Sequence, residues 1–178
     1  MSRVRVYLGC SLDGCIAGPD HDISWMEGPH TTPPEGPTKA LTFEAFFADV
    51  GAMLMGRGTF DVLQGFDEWP YGYTPILVGT SRPLPETRSS VRAVGGSIQQ
   101  MVAAAKQAAG GKDVYLDGGA IVRSALDAGL VDELTLTFIP VLLGEGIRLF
   151  EGLKHRQGLR FGAPVTYGPM VQVTATVE

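Results

Sequence analysis

The stretch Val114-Tyr-Leu-Asp-Gly-Gly-Ala-Ile-Val-Arg-Ser-Ala-Leu-Asp-Ala-Gly-Leu130 decides the fold. An apolar run ends at Asp117, two glycines follow, and a helix-like segment begins at once, with Gly129 as its predicted stop. Backbone N–H groups and the positive end of the helix dipole attract anions at such a turn, and glycine lets an anion come close. The pattern predicts a phosphate site, although an ordinary strand-to-helix connection with glycines for packing has the same appearance.

Working outward, strand-like and helix-like patterns alternate along the chain. Thr42 and Thr59 are predicted to cap short helices, and Ser97 with Gln100 forms a capping box for a longer one. Residues 159–167 and 171–177 are predicted to close the chain as an antiparallel pair. We therefore expect one α/β domain over residues 1–178, with a mixed, mostly parallel central sheet, an antiparallel C-terminal edge and helices on both faces.

Composition excludes several classes of function. The net charge of −5 argues against a broad nucleic-acid surface, and no apolar run is long enough for a transmembrane helix. The N-terminus enters a strand pattern without a leader-like segment, which indicates a cytoplasmic protein. Cys10 and Cys15 lack metal-type spacing and are expected to be buried free thiols.

Three glycine- or serine-bearing turns are predicted to meet at the carboxyl edge of the sheet, where ligands of such folds bind. They are Gly56-Arg57-Gly58-Thr59, Thr80-Ser81-Arg82 and Asp117-Gly118-Gly119-Ala120. Two of them place an arginine beside small hydroxyl residues, which suits a phosphate, although each arginine alone could be a solvated surface charge.

Standard signatures of nucleotide and metal sites are missing from the sequence. There is no Walker loop, no complete G-x-G-x-x-G, no calcium loop, no G-x-S-x-G elbow and no zinc-deaminase pattern. The three histidines are scattered, so we expect no metal site.

The chain nevertheless resembles the dihydrofolate reductase-like superfamily, above all the C-terminal reductase domain of riboflavin-biosynthesis bifunctional deaminase–reductases and their stand-alone bacterial relatives. The resemblance spans residues 3 to about 150 and follows the family's order. It rests on Ser11-Leu-Asp-Gly14 with Ile16-Ala-Gly18, Met55-Gly-Arg-Gly-Thr-Phe60, Leu116-Asp-Gly-Gly-Ala120, and Val131-Asp-Glu-Leu-Thr-Leu136 leading to Pro140-Val-Leu-Leu-Gly-Glu-Gly146.

The resemblance implies an NADPH-dependent oxidoreductase. By analogy, the nicotinamide would be bordered by Ile16, Ala17 and Gly18, and the phosphates would be held by Gly56, Arg57 and Thr59. Ser81 and Arg82 would lie at the adenosine 2′-phosphate, which favours NADPH over NADH. The pyrophosphate would be received by Gly118, Gly119, Ala120 and Ile121.

The proton donor is where the chain departs from true folate reductases, because Ala40 stands near the position of their acid. Two carboxylates are candidates. Asp13 leaves the first strand beside the implied nicotinamide, but Asp-Gly is also a turn dipeptide. Glu44 lies one turn along the predicted helix, where an exposed glutamate is equally natural.

The implied substrate is a ribosylaminopyrimidine of the riboflavin pathway, reduced at an imine carbon. Its phosphate would need a cation, for which Arg123, Arg148 and Lys154 are unranked candidates, and Trp25 or Trp69 could stack on its ring. Reduction of another small pterin, imine or carbonyl compound is the alternative, and a nucleotide-binding module without chemistry is the third. Relatives are often homodimers, and the strand-rich C-terminus could supply a shared edge.

Overall fold

The computed structural model describes residues 2–32, 36 and 38–178. The helices are α1 (Phe43–Phe47), α2 (Arg57–Leu63), α3 (Ile98–Ala108) and α4 (Gly119–Asp127). The strands are β1 (Val4–Ser11), β2 (Cys15–Ala17), β3 (Val50–Gly56), β4 (Ile76–Gly79), β5 (Val91–Val94), β6 (Asp113–Asp117), β7 (Glu133–Ile139), β8 (Ile147–Arg148), β9 (Leu159–Phe161), β10 (Val165–Tyr167) and β11 (Met170–Val177).

The central sheet has nine strands in the order β10-β11-β7-β1-β6-β3-β4-β5, with β9 also paired to β11. The strands from β7 to β5 in this order are parallel to their neighbours, while β11 is antiparallel to β7. A small antiparallel pair, β2 with β8, stands apart from this sheet. The predicted mixed sheet with an antiparallel C-terminal edge is confirmed.

Helices cover both faces because side chains of the strands alternate. Ala52 and Leu54 of β3 belong to the core under α3 and α4, whereas Met53 and Met55 belong to the core under α1 and α2. The second core is rich in aromatic rings, and Phe46 of α1 packs edge-on against Tyr115 of β6 with ring centroids 5.1 Å apart.

The amino ends of the parallel strands are held by buried charges. Arg5 of β1 is 5% exposed, and its guanidinium lies 2.6 Å from Glu133 and 3.3 Å from Asp113 on the two flanking strands. Asp132 joins both chain ends at this edge, since its carboxylate accepts the Val4 amide and its carbonyl accepts the Val177 amide.

Local signals in the sequence hold in part. Thr42 caps α1, and the Ser97 capping box opens α3, as predicted. The prediction that Thr59 is a cap is wrong, because α2 already begins at Arg57 with the extended Gly56 as its cap. The predicted strand 159–167 is split into β9 and β10, and Pro164, which has no N–H to donate, lies in the break.

Candidate active site

A cavity of about 570 Å³ opens at the carboxyl ends of β1, β6 and β3, on the face covered by α1 and α2. Its described lining comes from six parts of the chain: β1, β2 with the segment after it, α1, α2 with the loop that follows it, the junction of β6 with α4, and β8. Elements distant in sequence meet there because parallel strands place their carboxyl ends at one edge. The glycine turns lie at one end of this cavity, and aromatic side chains form much of the rest of its wall.

The turns after β3 and β6 lie side by side. Gly118 has φ +91°, a conformation that L side chains rarely adopt, and a methyl group added there would overlap the Thr59 hydroxyl. A methyl group on Gly119 would stand 2.7 Å from the Arg123 guanidinium and 3.3 Å from Ile16. The glycines therefore let the starts of α2 and α4 lie close together, and both line a narrow passage of the cavity where a ligand can approach the protein backbone.

Arg57 connects this passage to the turn after β4. Its Nε donates to Asp61 at 2.7 Å, and its Nη1 donates to the Pro83 carbonyl at 3.2 Å. Gly56 pairs with Gly79 across β3 and β4, so the exposed Ser81 and Arg82 follow at the same edge of the sheet. The three predicted turns therefore occupy neighbouring positions on one edge.

The predicted cofactor residues divide into two groups. Those lining the cavity are Ile16, Ala17, Gly56, Arg57, Thr59, Gly118, Gly119 and Ala120. Gly18 is buried beside the cavity, where its amide donates to the Asp22 carbonyl at 2.7 Å. The Ile121 side chain belongs to the core, so only its backbone could face a ligand, and Ser81 and Arg82 lie along the edge outside the lining.

The segment after Gly18 passes over the start of α2. Asp20 and His21 both have left-handed backbone conformations, with φ of 55° and 62°, and this pair turns the chain sharply. The His21 imidazole rests against Gly58, where an added methyl group would meet its Cε1 at 2.8 Å. His21, Ile23 and Met26 consequently form one wall of the cavity.

The Asp13 side chain holds the loop that follows β7 by hydrogen bonds. Its carboxylate accepts hydrogen bonds from the amides of Leu143 and Gly144, at 3.1 and 2.8 Å, and from the Ser11 hydroxyl at 2.6 Å. These hydrogen bonds, that of Ser11 foremost, lower the pKa of Asp13 to about 2. Asp13 is therefore ionised at neutral pH. Its side chain does not belong to the cavity lining.

Glu44 lies on the exposed side of α1 and also outside the cavity lining. The predicted roles of Asp13 and Glu44 as proton donors stay predictions, and neither position brings a carboxyl group into the cavity.

Among the described lining residues, Asp117 is the one with a carboxyl group, and the sequence predicts no chemistry for it beyond its place in the turn. Burial raises the pKa of Asp117 to about 6, although the Gly118 amide opposes the shift by hydrogen bonding to the carboxylate. The sequence feature that could have indicated a functional role for Asp117 is its position directly after an apolar strand and directly before the two glycines.

Aromatic side chains wall the cavity beyond Asp117. Tyr7, Phe43, Tyr71 and Tyr115 are all part of the lining, and Phe66 stands at the exposed rim. The Tyr7 hydroxyl donates to the Leu41 carbonyl at 2.8 Å, and the Tyr115 hydroxyl donates to the Tyr7 carbonyl at 2.8 Å. Such a slot suits a flat ring.

Within residues 2–32, 36 and 38–178, no cluster of three or more acidic, histidine or cysteine side chains is arranged to hold a metal ion. No helix in the part of the chain that the structure describes could cross a bilayer. Cys10 and Cys15 are buried free thiols, as predicted.

The architecture is that of the dihydrofolate reductase-like superfamily, as the sequence predicts. The family model of the RibD C-terminal domain matches residues 69–173, and the chain belongs to this riboflavin-pathway reductase family.

Curated relatives and solved structures resemble this chain over nearly all of its length. Protein YwjB of Bacillus subtilis is 28% identical over 96% of this chain and 95% of its own length. The crystal structure of a putative riboflavin biosynthesis protein from Shewanella sp. PV-4 is 28% identical, covers 99% of both chains and has a TM-score of 0.84. RibD of Acinetobacter baumannii shares the fold, with a TM-score of 0.71 and 18% sequence identity. The match covers 100% of this chain and 58% of the RibD chain.

Proposed function

We propose that this protein is an NADPH-dependent reductase that reduces the C=N bond of a small heterocyclic compound. The observation that carries the proposal is that one cavity joins the glycine turns before α2 and α4 to a half-buried carboxyl group whose pKa is about 6. Membership in the RibD C-terminal domain family supports the same activity.

The described residues fit a dinucleotide, because the cradle at Gly118 and Gly119 would be filled by any larger side chain. The pyrophosphate would lie against Gly118, Gly119, Ala120 and the Ile121 backbone, with Gly56, Arg57 and Thr59 opposite. Ser81 and Arg82 would meet the adenosine 2′-phosphate, and Ile16, Ala17 and Gly18 would border the nicotinamide. When bound, NADPH supplies a hydride, and the protein's task is alignment and protonation.

Asp117 is the proton donor in this proposal. As a hydride is added to the substrate carbon, the C=N π electrons would move to nitrogen, and the Asp117 carboxyl group would give its proton to that nitrogen. A carboxyl group whose pKa is about 6 is partly protonated near neutral pH and can be reprotonated from solvent after each turnover.

Thermal unfolding with each nucleotide tests the cofactor. We expect millimolar NADPH to raise the melting temperature, since a ligand at one hundred times its Kd adds about 2.7 kcal/mol of stability. The rise should be larger than with NADH, because NADH lacks the 2′-phosphate that Arg82 would bind. Arg82→Ala should lower the affinity for NADPH about tenfold, because it removes a charge-assisted contact to phosphate, and leave that for NADH unchanged.

Arg156→Ala is the matched control. Arg156 is exposed and lies next to His155, whose amide bonds to Asp127 at the far end of α4. Absence of any shift with either nucleotide would refute the proposed cofactor.

A ribosylaminopyrimidine is the first substrate to test, since it follows from the family. Another small pterin, imine or carbonyl compound is the second, and the aromatic slot suits a flat example of either. We also propose that the protein is a cytoplasmic homodimer. Light scattering of the pure protein measures its mass in solution and so tests the dimer.

A further inference from the structure

We propose that the substrate is a flat heterocycle that carries no phosphate or other anionic group. This inference rests on the proposed function and concerns the aromatic half of the cavity, defined here by Tyr7, Phe43, Phe66, Tyr71 and Tyr115. The sequence suggests a phosphorylated ribosylaminopyrimidine as the substrate. We infer instead the unphosphorylated form of that compound, or another flat ring without a negative charge.

The aromatic half offers flat surfaces but little for an anion to bind. Its remaining lining, apart from Asp117, is apolar: Leu8, Gly9, Ile23, Met26, Val62 and Leu63. The hydroxyl protons of Tyr7 and Tyr115 are already donated to backbone carbonyls. The Tyr71 phenol is neutral or anionic but never cationic, so it cannot offset the charge of a dianion. A buried phosphate without paired cations would cost several kcal/mol.

Every basic side chain in the described part of the cavity lining lies at the glycine end. Arg57 is the first residue of α2, and His21 rests against its neighbour Gly58. Arg123 reaches the Arg148 and Leu149 carbonyls at 2.9 and 3.2 Å and stands beside Gly119. In the described part of the chain, these three side chains are the Lys, Arg and His residues of the lining, and all adjoin the proposed dinucleotide site.

The other two cations that the sequence suggested for a substrate phosphate lie elsewhere. Arg148 donates to the Asp13 carbonyl at 2.7 Å and to the Gly144 carbonyl at 3.2 Å, outside the lining. Lys154 is exposed, and its amide bonds to Asp127 at the opposite end of α4. Both therefore belong to the framework around the cavity.

The cavity next to the aromatic half offers no excess of positive charge. A second cavity of about 370 Å³ adjoins it across Leu63 and Phe66. Its charged lining residues are Asp67, Glu86 and Arg88, which sum to −1. The Arg88 guanidinium is placed over the Trp69 ring, 5.3 Å from its centre, and Trp69 keeps a buried indole N–H without a hydrogen-bond partner. This neighbourhood suits a neutral hydroxylated tail better than an anionic one.

Matched ligand pairs test the inference directly. The probes are a ribosylaminouracil with and without its terminal phosphate, and dihydroneopterin with and without a phosphate. Binding to the protein saturated with NADP⁺ is measured by titration calorimetry. We expect the unphosphorylated member of at least one pair to bind about tenfold or more tightly than its partner. Equal or tighter binding of both phosphorylated members, or no saturable binding of any probe, overturns the inference.

A designed cation sharpens the test. Phe66 is 45% exposed, so Phe66→Arg can place a guanidinium at the rim without disturbing the core. We expect this variant to shift the binding ratio about tenfold toward the phosphorylated probe. Tyr73→Arg, at a side chain 92% exposed before the amino end of β4, is the matched control and should leave the ratio unchanged.

The thermal shift with NADPH, recorded on the same samples, separates the two proposals. A missing shift refutes the cofactor, whereas a normal shift with a preference for phosphorylated probes refutes the substrate class alone.

Discussion

Two aspartates show how environment sets the role of a residue. Asp13 accepts three hydrogen bonds, and its pKa falls to about 2, while Asp117 is desolvated at the cavity, and its pKa rises to about 6. The first is a permanent anion that holds a loop, and the second can exchange a proton near neutral pH. The sequence suggests Asp13 or Glu44 as the proton donor, whereas we propose Asp117, because the burial that raises its pKa is not visible in one sequence.

Asp117→Asn should lower the rate of reduction by roughly 10²–10⁴-fold, the usual contribution of a general acid. In the wild type, the rate should fall as the pH rises through about 6, because the carboxyl group loses its proton there. The variant should lack this decline. Single-turnover oxidation of NADPH against pH measures both effects, and an unchanged thermal shift with NADPH shows that the cofactor site is intact. A variant with the wild-type rate and pH profile would contradict the assignment.

Asp13→Asn should change acid stability. The folded state lowers the pKa of Asp13 below its unfolded value of 3.8, so the ionised carboxylate stabilises the fold above about pH 4, and this contribution disappears as the pH falls toward 2. The difference in unfolding free energy between wild type and variant should therefore shrink over that range. Urea unfolding at several pH values measures it, with the exposed Glu151→Gln as control. A difference that is constant with pH would exclude the proposed linkage.

At the scale of elements, the sequence predicts what local chemistry determines. Capping by Thr42 and Ser97 depends on neighbours in the chain, and these predictions hold. The wall formed by His21 and the loop held by Asp13 depend on contacts with Gly58 and Gly144, far away in sequence. Their side-chain partners could not be predicted, although the order of strands did predict which turns would share an edge.

Gly118→Ala tests the passage between α2 and α4. The added methyl group meets the Thr59 hydroxyl and forces alanine to φ +91°, so we expect a loss of about 1–3 kcal/mol in unfolding free energy and weaker NADPH binding. Gly110→Ala is the matched control, because Gly110 also has positive φ, at 59°, but open space around it. Denaturant unfolding and nucleotide titration measure both variants. Wild-type affinity for NADPH in Gly118→Ala would show that the passage does not hold the cofactor.

Across the whole molecule, the two edges of the parallel strands have different tasks. The carboxyl edge carries the cavity, and the amino edge carries the buried ion cluster of Arg5 with Asp113 and Glu133. Stability and ligand binding should therefore respond to different substitutions.

Arg5→Met should lower the unfolding free energy by about 1–3 kcal/mol, because two carboxylates with little exposure lose their buried partner and keep only the half-exposed Arg3. Arg160→Met, which breaks an exposed pair with Glu178, should cost about 0–1 kcal/mol. Urea unfolding compares the two, and folded Arg5→Met should keep its affinity for NADPH. Equal losses in both variants would contradict a central role for the buried cluster.

The meeting of both chain ends at Asp132 has a practical consequence. Val4 begins β1 and Val177 ends β11 at the amino edge, opposite the cavity mouth. A fluorescent tag, a surface tether or a fused protein attached at either end would thus point away from the ligands, so immobilised molecules should stay open to nucleotide and substrate alike.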